Sequence, residues 1–244
     1  MRRILLKIQY DGKDFYGWQK QDGKRTIQGE IEKALFKLLN QKTEVFGSGR
    51  TDRGVHALDQ SAHFDMEKDI PIKNLKLAIN NLLPSDISIK SAKVVSSDFH
   101  ARFNIKNKTY LYRVYNSKDK KALYASRSSH VSFELDLQKM KNAAQLLIGK
   151  HNFKGFCSAN TNVKDFTREI FAIEIKKVGS FIEFKITGNG FLYNMVRIIV
   201  GTLIDVGRGL LNEKDVKNAL IHQDRSFAGK TMPPEGLFLA KTTY

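Results

Sequence analysis

The 244-residue sequence contains a single cysteine, Cys157. One cysteine excludes an internal disulfide and any Cys-x-x-Cys zinc or iron–sulfur site, and it points to a reducing compartment. The longest apolar stretch, 191–206, is interrupted by Arg197 and Asp205, whereas a membrane-spanning helix needs about 20 mostly apolar residues. The apolar run near the first residue is also too short for the core of a signal peptide. We therefore expect a cytoplasmic protein with no membrane segment.

Acidic residues are scarce relative to basic ones. The chain has 25 Asp and Glu against 41 Lys and Arg, a formal net charge of +16. Residues 1–120 contribute +9 and residues 121–244 contribute +7, so the excess is not confined to a tail. Such a distribution favours a nucleic-acid partner, because Lys and Arg side chains that neutralise phosphates release counterions. The alternative is a merely basic protein without that partner.

Apolar periodicity predicts a chain in which strands outnumber helices. This pattern favours an α+β architecture with mainly antiparallel sheets. A polar, charged run at 116–127 marks the predicted junction between an N-terminal subdomain, 1–115, and a C-terminal subdomain, 128–244. The predicted strands cover 4–10, 44–47, 61–66, 87–95, 108–115, 167–178, 181–187 and 237–240, and the predicted helices cover 27–40, 74–83, 137–148, 191–206 and 212–220.

The most informative segment is the glycine-rich run 47–57, Gly-Ser-Gly-Arg-Thr-Asp-Arg-Gly-Val-His-Ala. It matches neither a dinucleotide-binding loop nor a Walker loop. Asp52 lies between Arg50 and Arg53, and neighbouring guanidinium groups lower the pKa of a carboxyl below its ordinary value of about 3.9. An ionised carboxylate suits a nucleophilic or electrostatic role, whereas a general acid needs a raised pKa and a metal site would be disfavoured by the cations. A structural turn in which an arginine pairs with Asp52 explains the same residues.

The run 47–57 resembles the signature of the tRNA pseudouridine synthase A family, Gly-x-Gly-Arg-Thr-Asp-x-Gly-Val-His-Ala, which surrounds the catalytic aspartate. The sequence departs from the family at Met232, where alanine is frequent, and at Phe238, where tyrosine is common. Further blocks in family order cover nearly the whole chain: Tyr10-Asp-Gly, Phe15-Tyr-Gly-Trp-Gln, Thr26-Ile-Gln-Gly, Phe99-His-Ala-Arg-Phe, Lys108-Thr-Tyr-Leu-Tyr, Phe191-Leu-Tyr-Asn-Met-Val-Arg and Pro233-Pro-Glu-Gly-Leu.

The resemblance implies the pseudouridine synthase fold, in which two similar α+β subdomains meet at a central cleft. It also implies an isomerase that converts uridine to pseudouridine in the tRNA anticodon stem-loop, at about positions 38 to 40. The N1–C1′ bond breaks, the uracil turns, and C5 joins C1′. No redox step or group transfer occurs, so we expect no cofactor and no metal. A homodimer is a further implication of the resemblance.

The same resemblance assigns roles to individual residues. Asp52 becomes the nucleophile, acting on either C1′ of the ribose or C6 of the base. Tyr110 stacks on the target uracil, and Arg197 pairs with Asp52 to hold it ionised and oriented. Arg50 and Arg53 are candidate contacts to the flipped nucleotide or its phosphates.

Other interpretations remain open at this point. A non-catalytic structured-RNA-binding protein would share the charge, although a carboxylate in its basic loop would repel phosphate. A metal-dependent nuclease needs clustered acidic ligands, and the loop offers only Asp52. Tyr110 could be an ordinary half-buried strand tyrosine, a description that fits Tyr112 better. Arg197 could simply extend from a helix edge to solvent.

Overall fold

The computed structural model describes residues 1–159 and 163–244. Packing divides the chain into two compact units. The first unit comprises Met1–Lys106 and Phe238–Tyr244, and the second comprises Asn107–Leu237. The last strand of the chain therefore returns to the first unit.

The division of the units precedes the predicted junction at 116–127. Residues Asn107–Asn116 form a strand that pairs antiparallel with Phe181–Gly188 over eight residue pairs, so they pack with the second unit. Both units keep a basic excess. The first has 20 basic and 13 acidic side chains, and the second has 21 and 12.

The first unit is a mostly antiparallel sheet with two helices. Its strands follow the order β4 (Ile87–Val95), β1 (Arg2–Tyr10), β3 (His56–Met66) and β10 (Leu237–Thr243), with β2 (Phe46–Gly47) paired to β3. Strand β1 is antiparallel to β3 and β4, whereas β10 is parallel to β3 and places Phe238 opposite His56. The two helices are α1 (Ile27–Leu39) and α2 (Ile72–Leu82).

Helix α1 shows how local sequence sets the limits of an element. The Thr26 side chain accepts a hydrogen bond from the Gly29 amide at 3.3 Å and caps the first turn. Asn40 ends the helix in the left-handed region at φ 56°. Ile31 and Leu35 are fully buried on the face toward the core. A side-chain cap, a left-handed stop and an apolar stripe are sufficient to specify this helix.

The second unit is also a mostly antiparallel sheet with helices. Its strands follow the order β7 (Gly149–Asn152), β8 (Thr167–Val178), β9 (Phe181–Gly188) and β5 (Asn107–Asn116), all antiparallel, with β6 (Ser129–Val131) parallel to β5. The chain turns between β8 and β9 at Gly179, whose φ is 59°. None of the helices within the described ranges is long and apolar enough to cross a membrane. The helices are α3 (Leu137–Gln145), α4 (Met195–Gly207) and α5 (Glu213–Ile221).

Helix α4 begins four residues after the predicted start at 191. Asn194 lies in the left-handed region at φ 59°, which a right-handed helix cannot include, so the helix starts at Met195. Almost every α4 side chain is buried, and Arg197 is one of the few that is only half-buried. The mixed α+β class with mainly antiparallel strands is confirmed in both units.

Candidate active site

The loop of residues 47–57, called here the Asp52 loop, is anchored at its start by Gln60. The fully buried Gln60 side chain lies on β3. Its amide nitrogen donates to the Gly49 carbonyl at 2.9 Å, and its amide oxygen accepts from the Ser48 hydroxyl. The Ser48 amide also donates to the Ser61 carbonyl at 2.7 Å. The backbone leading to Asp52 is therefore tied to the middle of a core strand.

A second anchor comes from the segment that follows β1. The Tyr10 and Thr51 hydroxyl groups are 2.8 Å apart and hydrogen-bonded. The Trp18 amide donates to the Thr51 carbonyl at 3.0 Å, and the Trp18 side chain is buried. The residue directly before Asp52 is thus held by both its side chain and its backbone.

Two glycines permit the shape of this site. Gly54 has φ 79° and lies in a turn in which the Val55 amide donates to the Asp52 carbonyl at 3.1 Å. A Cβ at Gly12 would overlap the Val55 carbonyl. A side chain at Gly12 would displace the turn, and one at Gly54 would strain it.

The two arginines that flank Asp52 in the sequence, Arg50 and Arg53, do not pair with its carboxylate. Asp52 is half-buried, whereas Arg50 and Arg53 are exposed. Neither guanidinium makes an ion pair or hydrogen bond with any residue that the structure describes. Arg53 lies over the ring of Tyr16, 4.4 Å from its centre. A structural turn in which one of these arginines pairs with Asp52 is therefore not formed.

Arg197 is the third residue of α4 and its guanidinium has a fixed orientation. Its Nε donates to the Met232 carbonyl at 2.6 Å, and its Nη1 donates to the Asn194 side-chain oxygen at 2.5 Å. The Met232 amide returns a bond to the Arg197 carbonyl at 3.2 Å. These contacts argue against an arginine that merely extends to solvent.

Tyr110 and Tyr112 point to the same face of β5 but have different surroundings. Tyr112 is fully buried, and its hydroxyl donates to the Pro233 carbonyl at 2.7 Å. Burial raises the pKa of Tyr112 well above its ordinary value. Tyr110 is half-exposed and meets the ring of Phe191 edge-on, with centres 5.2 Å apart. Tyr112 is therefore the structural tyrosine of the pair.

The candidate residues are divided between the two units. Asp52, Arg50 and Arg53 belong to the first unit, and Tyr110 and Arg197 belong to the second. An ion pair between Asp52 and Arg197 stays a prediction. Across the described ranges, no three His, Cys, Asp or Glu side chains are grouped to hold a metal ion.

We expect Gln60→Leu to destabilise the protein, because a buried hydroxyl and a buried carbonyl lose their partner. Each such loss costs about 1–3 kcal/mol in the free energy of unfolding. Denaturant titration measures the change, and Gln9→Leu, at an exposed position on β1, is the matched control. Equal stability of the two variants would show that Gln60 does not hold the loop.

Comparison with known proteins identifies the family. The model of a family described as tRNA pseudouridine synthase matches residues 7–104 and 143–244. The chain belongs to this family. Among its relatives, the tRNA pseudouridine synthase A of Caldicellulosiruptor bescii is 46% identical over 244 residues, 100% of both chains. That of Ruminiclostridium cellulolyticum is 46% identical over 245 residues, 100% of both, and that of Bacillus subtilis is 45% identical over 244, 99% of both.

Membership of the tRNA pseudouridine synthase family confirms the predicted family and the predicted enzyme class, an isomerase. The Asp52 loop and Arg197 lie within the matched segments. Tyr110 lies between them, in 105–142. From the sequence, no supporting role was predicted for the residues that hold these side chains in place, and Gln60 was not singled out at all. The supporting residues are Tyr10, Gln60, Asn194 and the backbone of Met232.

Proposed function

We propose that the protein isomerises uridine to pseudouridine in the anticodon stem-loop of tRNA, at about positions 38 to 40, with Asp52 as the nucleophile. The observation that carries this proposal is the Asp52 loop itself, which matches the family signature and is anchored by Tyr10 and Gln60 on the N-terminal side of its aspartate. A carboxylate has no evident use in a basic loop that only binds phosphate. Its presence there favours catalysis over simple RNA binding.

The reaction rearranges bonds within one nucleotide. The N1–C1′ bond breaks, the freed uracil rotates, and C5 bonds to C1′. The hydrogen on C5 leaves as a proton and N1 takes up a proton, so the product is an isomer of the substrate. Asp52 stabilises the intermediate stage by bonding to C1′ of the ribose or to C6 of the base, and it leaves when the new bond forms. The target base must first leave its stack, at a cost of about a few kcal/mol that RNA contacts offset.

Fixing the loop before substrate arrives serves this chemistry. The bonds from Gln60 and Tyr10 restrict the backbone on the N-terminal side of Asp52, and the turn closed by Gly54 restricts it on the other. A nucleophile held in one position loses little conformational entropy at the transition state. We propose that this restriction, together with the charge of Asp52, provides the catalytic advantage.

Arg197 and Tyr110 complete the proposal from the second unit. A guanidinium beside a carboxylate favours its ionised form, and Arg197 is already oriented by Asn194 and Met232. Tyr110 keeps an accessible ring supported by Phe191, as a stacking partner for uracil requires. The family resemblance extends the proposal to a homodimer in the cytoplasm, and analytical ultracentrifugation tests the dimer.

Incubation of the purified protein with an unmodified tRNA transcript tests the function. Pseudouridine mapped in the anticodon stem-loop would support the proposed reaction and its position. Pseudouridine elsewhere in the tRNA would overturn the position. Binding without any pseudouridine would leave an RNA-binding protein instead of an enzyme.

We expect tRNA binding to weaken steeply with salt, and Arg50→Ala to reduce that dependence. The Arg50 guanidinium has no partner within the described part of the chain, so a phosphate can take that place. Loss of one phosphate contact lowers the slope of log K against log salt by about 0.7–0.9. Filter binding at several salt concentrations measures the slope. Lys33→Ala is the control, because Lys33 is already paired with Glu30 at 2.8 Å; equal slopes in both variants would remove Arg50 from the interface.

A further inference from the structure

Four aromatic rings in contact on the first unit, two pairs stacked and joined by an edge-on contact, have no part in the chemistry proposed above. We call Phe46, His63, His100 and Phe103 the aromatic platform. Phe103 stacks on His100 with centres 4.3 Å apart, His100 meets His63 at 4.7 Å, and Phe46 stacks on His63 at 5.1 Å. His63 is buried, but Phe103 is 76% exposed and Phe46 is 39% exposed. The platform therefore ends in two open aromatic side chains.

The imidazoles of the platform are neutral at physiological pH. Burial lowers the pKa of His63 to about 4, and its Nδ1 accepts from the Ala101 amide at 3.2 Å. Burial also lowers the pKa of His100, whose Nδ1 accepts from the Arg102 amide at 3.1 Å. Uncharged rings attract a flat π-system better than they attract a phosphate. The chemistry of the platform suits a nucleobase.

The platform is held firmly by the backbone. Phe46 is paired with His63 between strands β2 and β3. The turn that presents Phe103 is closed by a 2.5 Å bond from the His100 amide to the Asn104 side chain, and by a 3.0 Å bond from the Asn104 amide to the His100 carbonyl. Strand β2 ends at Gly47, where the Asp52 loop begins. Phe46 and His63 of the platform therefore lie on β2 and β3, the two strands that the Asp52 loop connects.

A free cation accompanies the rings. Arg102 is exposed, and its guanidinium makes no ion pair or hydrogen bond within the described ranges. A ring that stacks on a base, next to a cation that reaches its phosphate, is a common way to bind unpaired RNA. The exposed guanidinium requires an anionic partner, which RNA supplies at every phosphate.

We propose that the aromatic platform binds an unpaired base of the RNA substrate by stacking on Phe103, with Arg102 contacting the adjacent phosphate. This inference depends on the proposed function only in requiring an RNA substrate. It does not depend on which residue is the nucleophile. The platform would contribute affinity for unpaired RNA without reading base identity, because every base offers a π-face.

Three variants test the platform: Phe103→Leu, Phe103→Trp and the control Phe36→Leu. Phe36 is a half-exposed phenylalanine on α1 of the same unit. Filter binding with unmodified tRNA and with a fully paired RNA duplex provides two Kd values for each protein. We expect Phe103→Leu to raise the tRNA Kd and KM about tenfold, which corresponds to about 1.4 kcal/mol. We expect kcat and the duplex Kd to change less than about twofold, and Phe103→Trp and Phe36→Leu to resemble wild type.

Three results would overturn the proposal. The first is an unchanged tRNA Kd in Phe103→Leu with a normal melting temperature. The second is an equal loss on tRNA and duplex, which indicates a general effect on phosphate binding. The third is a Phe103→Leu protein that is a monomer in ultracentrifugation while the wild type is a dimer, which assigns the platform to the interface with a second copy. Activity retained by an Asp52→Asn protein would refute the nucleophile and leave these binding results valid.

Discussion

Replacing Asp52 by asparagine is expected to reduce pseudouridine formation by at least about 10³-fold, on the order of 4 kcal/mol in the activation free energy. Asparagine keeps the size of the side chain but cannot form the covalent bond to the nucleotide. Affinity for tRNA should change less than about threefold, because the carboxylate adds nothing to phosphate binding. Mapping of pseudouridine in tRNA and filter binding measure the two quantities separately.

The control for this variant is Asp14→Asn, which changes an exposed aspartate of the same unit. It should be as active as wild type. A parallel loss of binding and activity in Asp52→Asn would show that the loop has misfolded, and Asp52→Glu then distinguishes position from charge. Turnover by Asp52→Asn at the wild-type rate would contradict the nucleophile outright.

Replacing Arg197 by methionine is expected to reduce kcat by about 10²–10³-fold with little change in tRNA affinity. Removal of one preorganised electrostatic partner has an effect of this size in other enzymes. The loss of bonds to Asn194 and Met232 should also lower the free energy of unfolding by about 1–3 kcal/mol. Steady-state kinetics and thermal melting separate the catalytic effect from the structural one.

Two comparisons make the Arg197 result decisive. Arg208→Met changes an arginine at the end of the same helix, where it lies over the ring of Phe133 at 3.9 Å, and should leave kcat unchanged. If Arg197 and Asp52 act as a pair, the double variant Asp52→Asn, Arg197→Met should be no slower than Asp52→Asn alone. A fall in affinity without a fall in kcat would make Arg197 a phosphate contact.

Much of the fold could be predicted because its signals are local. Helix α1 follows from the Thr26 cap and a stripe of apolar residues, and β4 was predicted with its observed limits, Ile87–Val95. The β8–β9 turn follows from Gly179. Each of these elements is specified by residues close together in the chain.

Other elements depend on contacts that the chain makes only when folded. Strands β6 and β7 have three and four residues, too few to show alternation. Helix α4 was predicted to start too early because the left-handed conformation of Asn194 leaves no mark in the apolar pattern. Strand β10 packs with the first unit through pairing to β3, a contact between distant parts of the sequence.

In the candidate site, too, some residues could be predicted from the local sequence and others only from contacts in the folded chain. Asp52 was prominent because a carboxylate between arginines on a glycine turn is unusual in itself. Gln60 was missed because one glutamine in a strand carries no such signal, although a polar residue in a buried stretch of β3 calls for a partner. The arginine–aspartate turn was an open alternative until the structure placed Arg53 against Tyr16.

The release of the C5 hydrogen is the sharpest test of Asp52 as the nucleophile. A tRNA transcript labelled with tritium at C5 of uridine loses that tritium only when C5 joins C1′. Under single-turnover conditions with saturating protein, we predict one tritium released for each pseudouridine formed by the wild type, and none above background with Asp52→Asn. Release by Asp52→Asn at the wild-type rate, or by neither protein, would contradict the account.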